Sequence, residues 1–216
     1  MLYIIMCGGY YPDFETPRQL LEINKETILG RTVRLLKEAG IDKDHIAISY
    51  HDPVFENYAL EYGNLMLLKQ SEDAVTWEKY DKIFPEVKEE CCYIFGDVVF
   101  SPAAIKTIVE TETDGIEFFA SAWPFHEDYI KNWAEPFAFK VKDWERFHKS
   151  CRDARALYDN GYLKRGSAWE LWQVIQGTKL NTIIEDYKII SDYSCDIDKK
   201  SDLDSLQYIL RNEVRQ

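Results

Sequence analysis

At 216 residues, with 46% hydrophobic and 30% charged side chains, the chain is long enough to bury a substantial core without disulfide or metal support, and its composition is that of a globular rather than a disordered protein. Its 26 basic against 38 acidic residues leave a net charge of -12, which repels nucleic acid and anionic membranes, and no Lys/Arg run overrides it. Small phosphorylated ligands stay open, because a helix N-terminus, a few basic side chains and a divalent cation neutralise them locally.

The first apolar run, Leu2 to Cys7, ends on Gly8 and Gly9, the pattern of a buried central strand entering a permissive turn. It is too short for a secretion signal and lacks the basic flank, and no later run reaches membrane-spanning length, so a cytoplasmic location is expected. A helix is predicted from about Thr27, with Ile28, Leu29, Thr32, Val33, Leu36 and Ala39 at helical spacing and Gly40 as its stop. A strand over 45–50, a helix over 53–63, a strand over 65–69, a helix over 76–87 and a buried strand over 91–95 follow, the last running into Gly96 and Asp97. Ser101 and Pro102 read as the N-cap and first residue of a helix to about Glu110.

After 115–121 the alternation loosens. A strand is expected at 136–141, helices near 143–158 and 167–176, strands near 181–184 and 187–190, and an amphipathic helix over 201–212. The β-α-β-α-β order predicts an α/β fold, a three-layer sandwich with a mostly parallel central sheet and right-handed crossovers. No linker, repeat or low-complexity tract divides the chain, so 1–216 reads as a single domain. Cysteines 7, 91, 92, 151 and 195 match no C-x-x-C or zinc spacing and are expected to be reduced and buried, and the four histidines are scattered.

In open α/β sheets ligands sit at the carboxyl ends of the strands, and two positions arrive there with useful chemistry. Gly8 and Gly9 let main-chain amides approach a ligand, whereas the bland alternative is a tight turn. Asp97, directly after a buried strand and a glycine, is placed to hold Mg²⁺, which favours hard carboxylate oxygens and shares its shell with phosphates; a turn or cap is the alternative. The glycine pair fits neither G-x-G-x-x-G nor G-x-x-x-x-G-K-[ST], against a dinucleotide dehydrogenase or a P-loop NTPase.

Three stretches, "CGG…PRQLLEINKETILGRTVRLLKEAGI", "YIFGDVVF" and "CDIDKKSDLDSLQYIL", resemble in order and spacing the nucleotidyltransferases that join a nucleoside monophosphate to a sugar or alcohol phosphate. The resemblance is strongest over 1–50, 91–105 and 186–210 and weak over 111–166. It implies a glycosyltransferase-A-like fold with Asp97 and Asp198 around one Mg²⁺, Asp196 nearby, Cys7, Gly8, Gly9 and Gly96 at the nucleotide, and Arg18 on its triphosphate. It also implies release of pyrophosphate, a nucleoside triphosphate and a phosphorylated small molecule as partners, and a homodimer; the chain's length is closest to compact cytidylyltransferases, which favours CTP.

Two departures stand out. The family's loop carries an arginine before the proline that "GGYYPDFETPR" lacks, and Arg18 stands where relatives have lysine, a longer and planar cation that grips two oxygens at once. Lys140, Lys164, Arg165 and Trp169 are candidates for the second substrate, against the alternative of solvated charges and a core tryptophan, and the aromatic run 123–133 is a candidate acceptor wall, against the alternative of packing or a dimer surface. Two rival functions share the fold: a nucleotide-sugar-dependent glycosyltransferase, disfavoured because "GDVVF" has one aspartate where D-x-D is usual, and a nucleotide-binding protein impaired in catalysis.

Overall fold

The computed structural model describes residues 1–8, 13–70, 90–122, 134–181 and 186–213. Gly9, the helix expected at 76–87, the aromatic run 123–133 and most of the strand expected at 181–184 lie outside them. Seven strands form one sheet: β1 (Leu2–Met6), β4 (Ile46–Tyr50), β5 (Met66–Lys69), β6 (Cys91–Phe95), β8 (Ile116–Ser121), β9 (Pro136–Val141) and β10 (Lys188–Ile190), in the order β10-β8-β9-β6-β1-β4-β5. All neighbouring pairs are parallel except those of β9, which is antiparallel to both β6 and β8. The expected mostly parallel α/β sandwich is therefore present.

Period-two alternation divides the core between the two faces of this sheet. Tyr3, Ile5, Ile46, Ile48, Cys92 and Ile94 point to one face, beneath helices α1 (Ile28–Glu38), α2 (Val54–Glu61) and α3 (Pro102–Glu110). Leu2, Ile4, Ala47, Tyr93, Phe118 and Phe139 point to the other, beneath α4 (Trp144–Asp159) and α5 (Ala168–Gln176), where Phe118 and Phe139 stack at 4.5 Å. Thr27 caps α1 by accepting from the Gly30 amide at 2.9 Å, and Ser101 caps α3 by accepting from Ala104 at 2.9 Å, with Pro102 in the first turn, as expected.

A third, smaller core lies beyond the sheet's carboxyl edge. There a two-residue hairpin, β2 (Glu22–Ile23) and β3 (Glu26–Thr27), joins an antiparallel pair, β7 (Val98–Val99) with β11 (Cys195–Asp196), under helix α6 (Lys200–Glu213). Ile23, Ile28, Val99, Cys195, Ile197, Leu206 and Leu210 fill it. The sequence reading missed both short pairs because a two-residue strand carries no periodicity. The ends of β8 and β9 are also tied together: Ser121 N donates to Glu135 O at 2.9 Å and Glu135 N donates to Ser121 Oγ at 2.8 Å.

Candidate functional site

The carboxyl end of the sheet gathers three charged side chains from distant parts of the chain. Strand β6 ends at Phe95, Gly96 turns the chain, and Asp97 leads into β7. A Cβ at position 96 would sit 2.6 Å from Met6 O and 3.2 Å from Cys7 Sγ, so glycine alone lets Asp97 leave β6 against the end of β1. The β7–β11 ladder pairs Val98 with Asp196, and Ile197 N donates to Asp97 O at 3.1 Å, which lays Asp198 beside Asp97. Arg18, in a 3-10 turn after Pro17, sends its guanidinium between them. It donates to Asp97 Oδ2, to Asp198 Oδ1 at 3.0 Å and to Ile197 O. Arg18 is 3% exposed, whereas the Asp198 carboxylate keeps a third of its surface open.

The segment carrying Asp198 is held from two sides. Asp202, in the first turn of α6, accepts from Asp198 N and Lys199 N at 3.0 Å each, the reach-back half of a capping box. Glu135, fully buried at the start of β9, accepts from Asp196 N at 3.0 Å. Neither residue was singled out from sequence; for Asp202 the available signal was an acid at the third helical position of "DKKSDL". Glu135, Cys195 and Asp196 place one donor atom each within 4.8 Å of one another, and Glu135 Oε2 accepts from the Asp196 amide, an anchoring contact. Burial pushes the Asp97 carboxyl above the ordinary carboxylate range; the Arg18 guanidinium opposes this, and the charges of Asp196 and Asp198 add to it.

No protein-family model matches the sequence, and no curated protein matches it. Solved structures do match along nearly the whole chain. A Bacillus anthracis protein assigned as a glucose-1-phosphate thymidylyltransferase, in complex with sucrose, aligns over 97% of this chain and 95% of its own at a TM-score of 0.64 and 16% identity. A nucleotidyl transferase from Methanothermobacter thermautotrophicus aligns over 97% of each chain at 0.63 and 15%. The inositol-1-phosphate CTP transferase of T. maritima aligns over 99% of this chain and 96% of its own at 0.65 and 14%. The fold is that of the nucleotidyltransferases.

Within the nucleotidyltransferase fold, several sequence-derived site residues find other employment. Lys140 is not at the site: β9 runs antiparallel, so Lys140 pairs with Cys92 at the opposite end of β6, roughly 16 Å of strand from Asp97 at the usual rise per residue. There it is buried, and its ammonium donates to Ile108 O, Val109 O and Thr111 O at 3.0, 2.8 and 2.6 Å, closing the C-terminus of α3. Burial lowers its pKa. Cys7 donates its amide to Ser49 O at 2.7 Å, its side chain is buried, and burial pushes its thiol well up. Gly96 is explained by its packing on β1.

Arg165 donates to Glu170 at 3.0 Å while staying largely exposed, Lys164 is exposed, and Trp169 meets Phe118 and Tyr187 edge-on at 5.1 and 5.2 Å, the core alternative. At the site end of the sheet two polar atoms remain that the packing does not explain. Ser49 Oγ in β4 and Gln70 Oε1 just past β5 are buried with no hydrogen-bond partner among the described residues. The hard carboxylate oxygens of Asp97 and Asp198, brought to one place, are the donor chemistry of Mg²⁺, and these residues fit it. No helix among the described residues is long and apolar enough to cross a membrane.

Proposed function

We propose that this protein is a nucleotidyltransferase that moves a nucleoside monophosphate from a nucleoside triphosphate, with CTP favoured, to a sugar phosphate or small alcohol phosphate, releasing pyrophosphate. The observation that carries the reading is the meeting of Arg18, Asp97 and Asp198 at the carboxyl ends of β1 and β6, in a fold shared with nucleotidyltransferases. A phosphate oxygen of the acceptor attacks the α-phosphorus in line, the bond to the bridging oxygen breaks, and pyrophosphate leaves with that electron pair. Such a transfer needs positioning and charge neutralisation rather than a protein nucleophile.

Gly8 brings main-chain groups to the nucleotide, Ser49 and Gln70 offer buried polar atoms at the same edge, and Arg18 supplies positive charge for the phosphates. Lys164 and Arg165 are the candidates for the acceptor's phosphate. Asp97 and Asp198 would hold Mg²⁺, with Asp196 beside them, and the ion when bound neutralises charge on the transferring group. The test is pyrophosphate release with each of CTP, UTP, GTP and ATP, Mg²⁺ and a panel of sugar and alcohol phosphates. Release is expected with one donor and acceptor pair and is expected to vanish in a folded Asp97→Asn variant. Nucleotide binding with no release across the panel would point instead to the catalytically impaired reading.

A further inference from the structure

The guanidinium of Arg18 occupies the ground between the two carboxylates that would bind a divalent cation. Its bonds run to Asp97, to Asp198 and to Ile197 O, the carbonyl between β11 and Asp198, so one planar cation ties both acids and the main chain beside them. Arg18 cancels one of the carboxylate charges gathered there, those of Asp97, Asp198 and the adjacent Asp196, so a doubly charged ion meets a weakened field, and an ion entering beside Arg18 meets a like charge at contact range. We propose that Arg18 is the site's internal cation and makes divalent-metal binding conditional on a polyphosphate: the metal gains its full carboxylate pair only when an anionic ligand draws the guanidinium away. The proposal rests on the nucleotidyltransferase reading of the site for the identity of that ligand.

The surroundings allow the exchange. Gln19, the next residue, donates from Nε2 to Gly8 O at 3.2 Å, which fixes the backbone of the 3-10 turn against the end of β1. A phosphate lying against Gly8 is therefore close to the backbone of Arg18, and the proposed exchange asks only for rotation about the arginine's side-chain bonds. Arginine suits both states, because its fork pairs with two oxygens of either group and stays charged throughout. Meanwhile Asp202 and Glu135 hold the Asp196–Asp198 backbone in place, so the carboxylates keep their positions when the guanidinium leaves. Metal and nucleotide binding then raise each other's affinity, as linkage requires.

The test is Mn²⁺ binding by electron paramagnetic resonance in the absence of nucleotide, on the full chain and on Arg18→Gln, Arg18→Lys and the double variant Arg18→Gln with Asp97→Asn. Arg18→Gln is expected to bind Mn²⁺ at least about tenfold more tightly than the parent, Arg18→Lys to stay near the parent, and the double variant to lose the gain. Equal affinity of parent and Arg18→Gln overturns the proposal and leaves the metal reading intact. A gain that survives Asp97→Asn also overturns it, since the ion then sits elsewhere. If neither protein binds Mn²⁺, the proposal falls, while the metal reading is judged by Mn²⁺ binding in the presence of nucleotide and nucleotidyl transfer by pyrophosphate release. Thermal unfolding with and without Mn²⁺ guards against misfolding: folded Arg18→Gln is expected to gain the larger Mn²⁺-dependent rise in Tm, and the absence of that rise counts against the proposal.

Discussion

Single residues show how one side-chain type serves two opposite ends of the molecule. Arg18 and Lys140 are both buried cations, each compensated by fixed acceptors, yet only Arg18 stands where strands deliver a ligand. Replacing Lys140 by Met leaves three carbonyls at the end of α3 without their shared donor, a loss of about 1–3 kcal/mol in denaturant unfolding, with pyrophosphate release per folded molecule unchanged. A tenfold change in acceptor KM would return Lys140 to the substrate side. The sequence distinguishes these two poorly, because strand direction is invisible in a stretch such as "PFAFKV": whether its lysine lies at the end with Asp97 or at the opposite one depends on whether β9 runs with or against its neighbours.

At the level of elements, the long, periodic segments were legible from the amino-acid order. Helix α1 with its Thr27 cap, α3 with Ser101 and Pro102, and strands β4, β6 and β9 stand where spacing and capping residues place them. The short pairs that assemble the site were not legible: β7 and β11 are two residues each, and their pairing across about a hundred positions is a tertiary event. The family-like spacing of "GDVVF" and "CDIDKKSDL" nevertheless picked out Asp97 and Asp198, which these pairs bring together. Helix α6 contributes by its first turn. Asp202→Ala removes the acceptor for Asp198 N and Lys199 N and is expected to cost about 1 kcal/mol of stability and to raise the KM for Mg²⁺. Asp202→Asn keeps an acceptor oxygen and is expected to recover most of both; equal loss in the two variants would assign Asp202 to charge rather than to holding the backbone.

Across the whole molecule, packing on both faces of the sheet leaves the thiols inaccessible. All five cysteines are free and buried: Cys91 and Cys92 in β6, Cys7 just past β1, Cys151 in α4 and Cys195 in β11. A chromogenic disulfide reagent is therefore expected to label the native protein slowly and to titrate five thiols after denaturation; rapid native labelling of one thiol would reveal an opening at its strand or helix. The overall α/β order was readable because parallel strands buried on both faces read as continuous apolar runs, while the placing of β9 against the grain was not.

That reversed strand has one more effect. Because β8 and β9 run in opposite directions, the chain leaves the sheet at Ser121 and re-enters at Glu135 on the edge shared with Asp97 and Asp198, and the two stems are stapled to each other. Glu135, one half of that staple, also accepts from Asp196 N, so the junction of β8 with β9 and the segment carrying Asp198 are held as one piece.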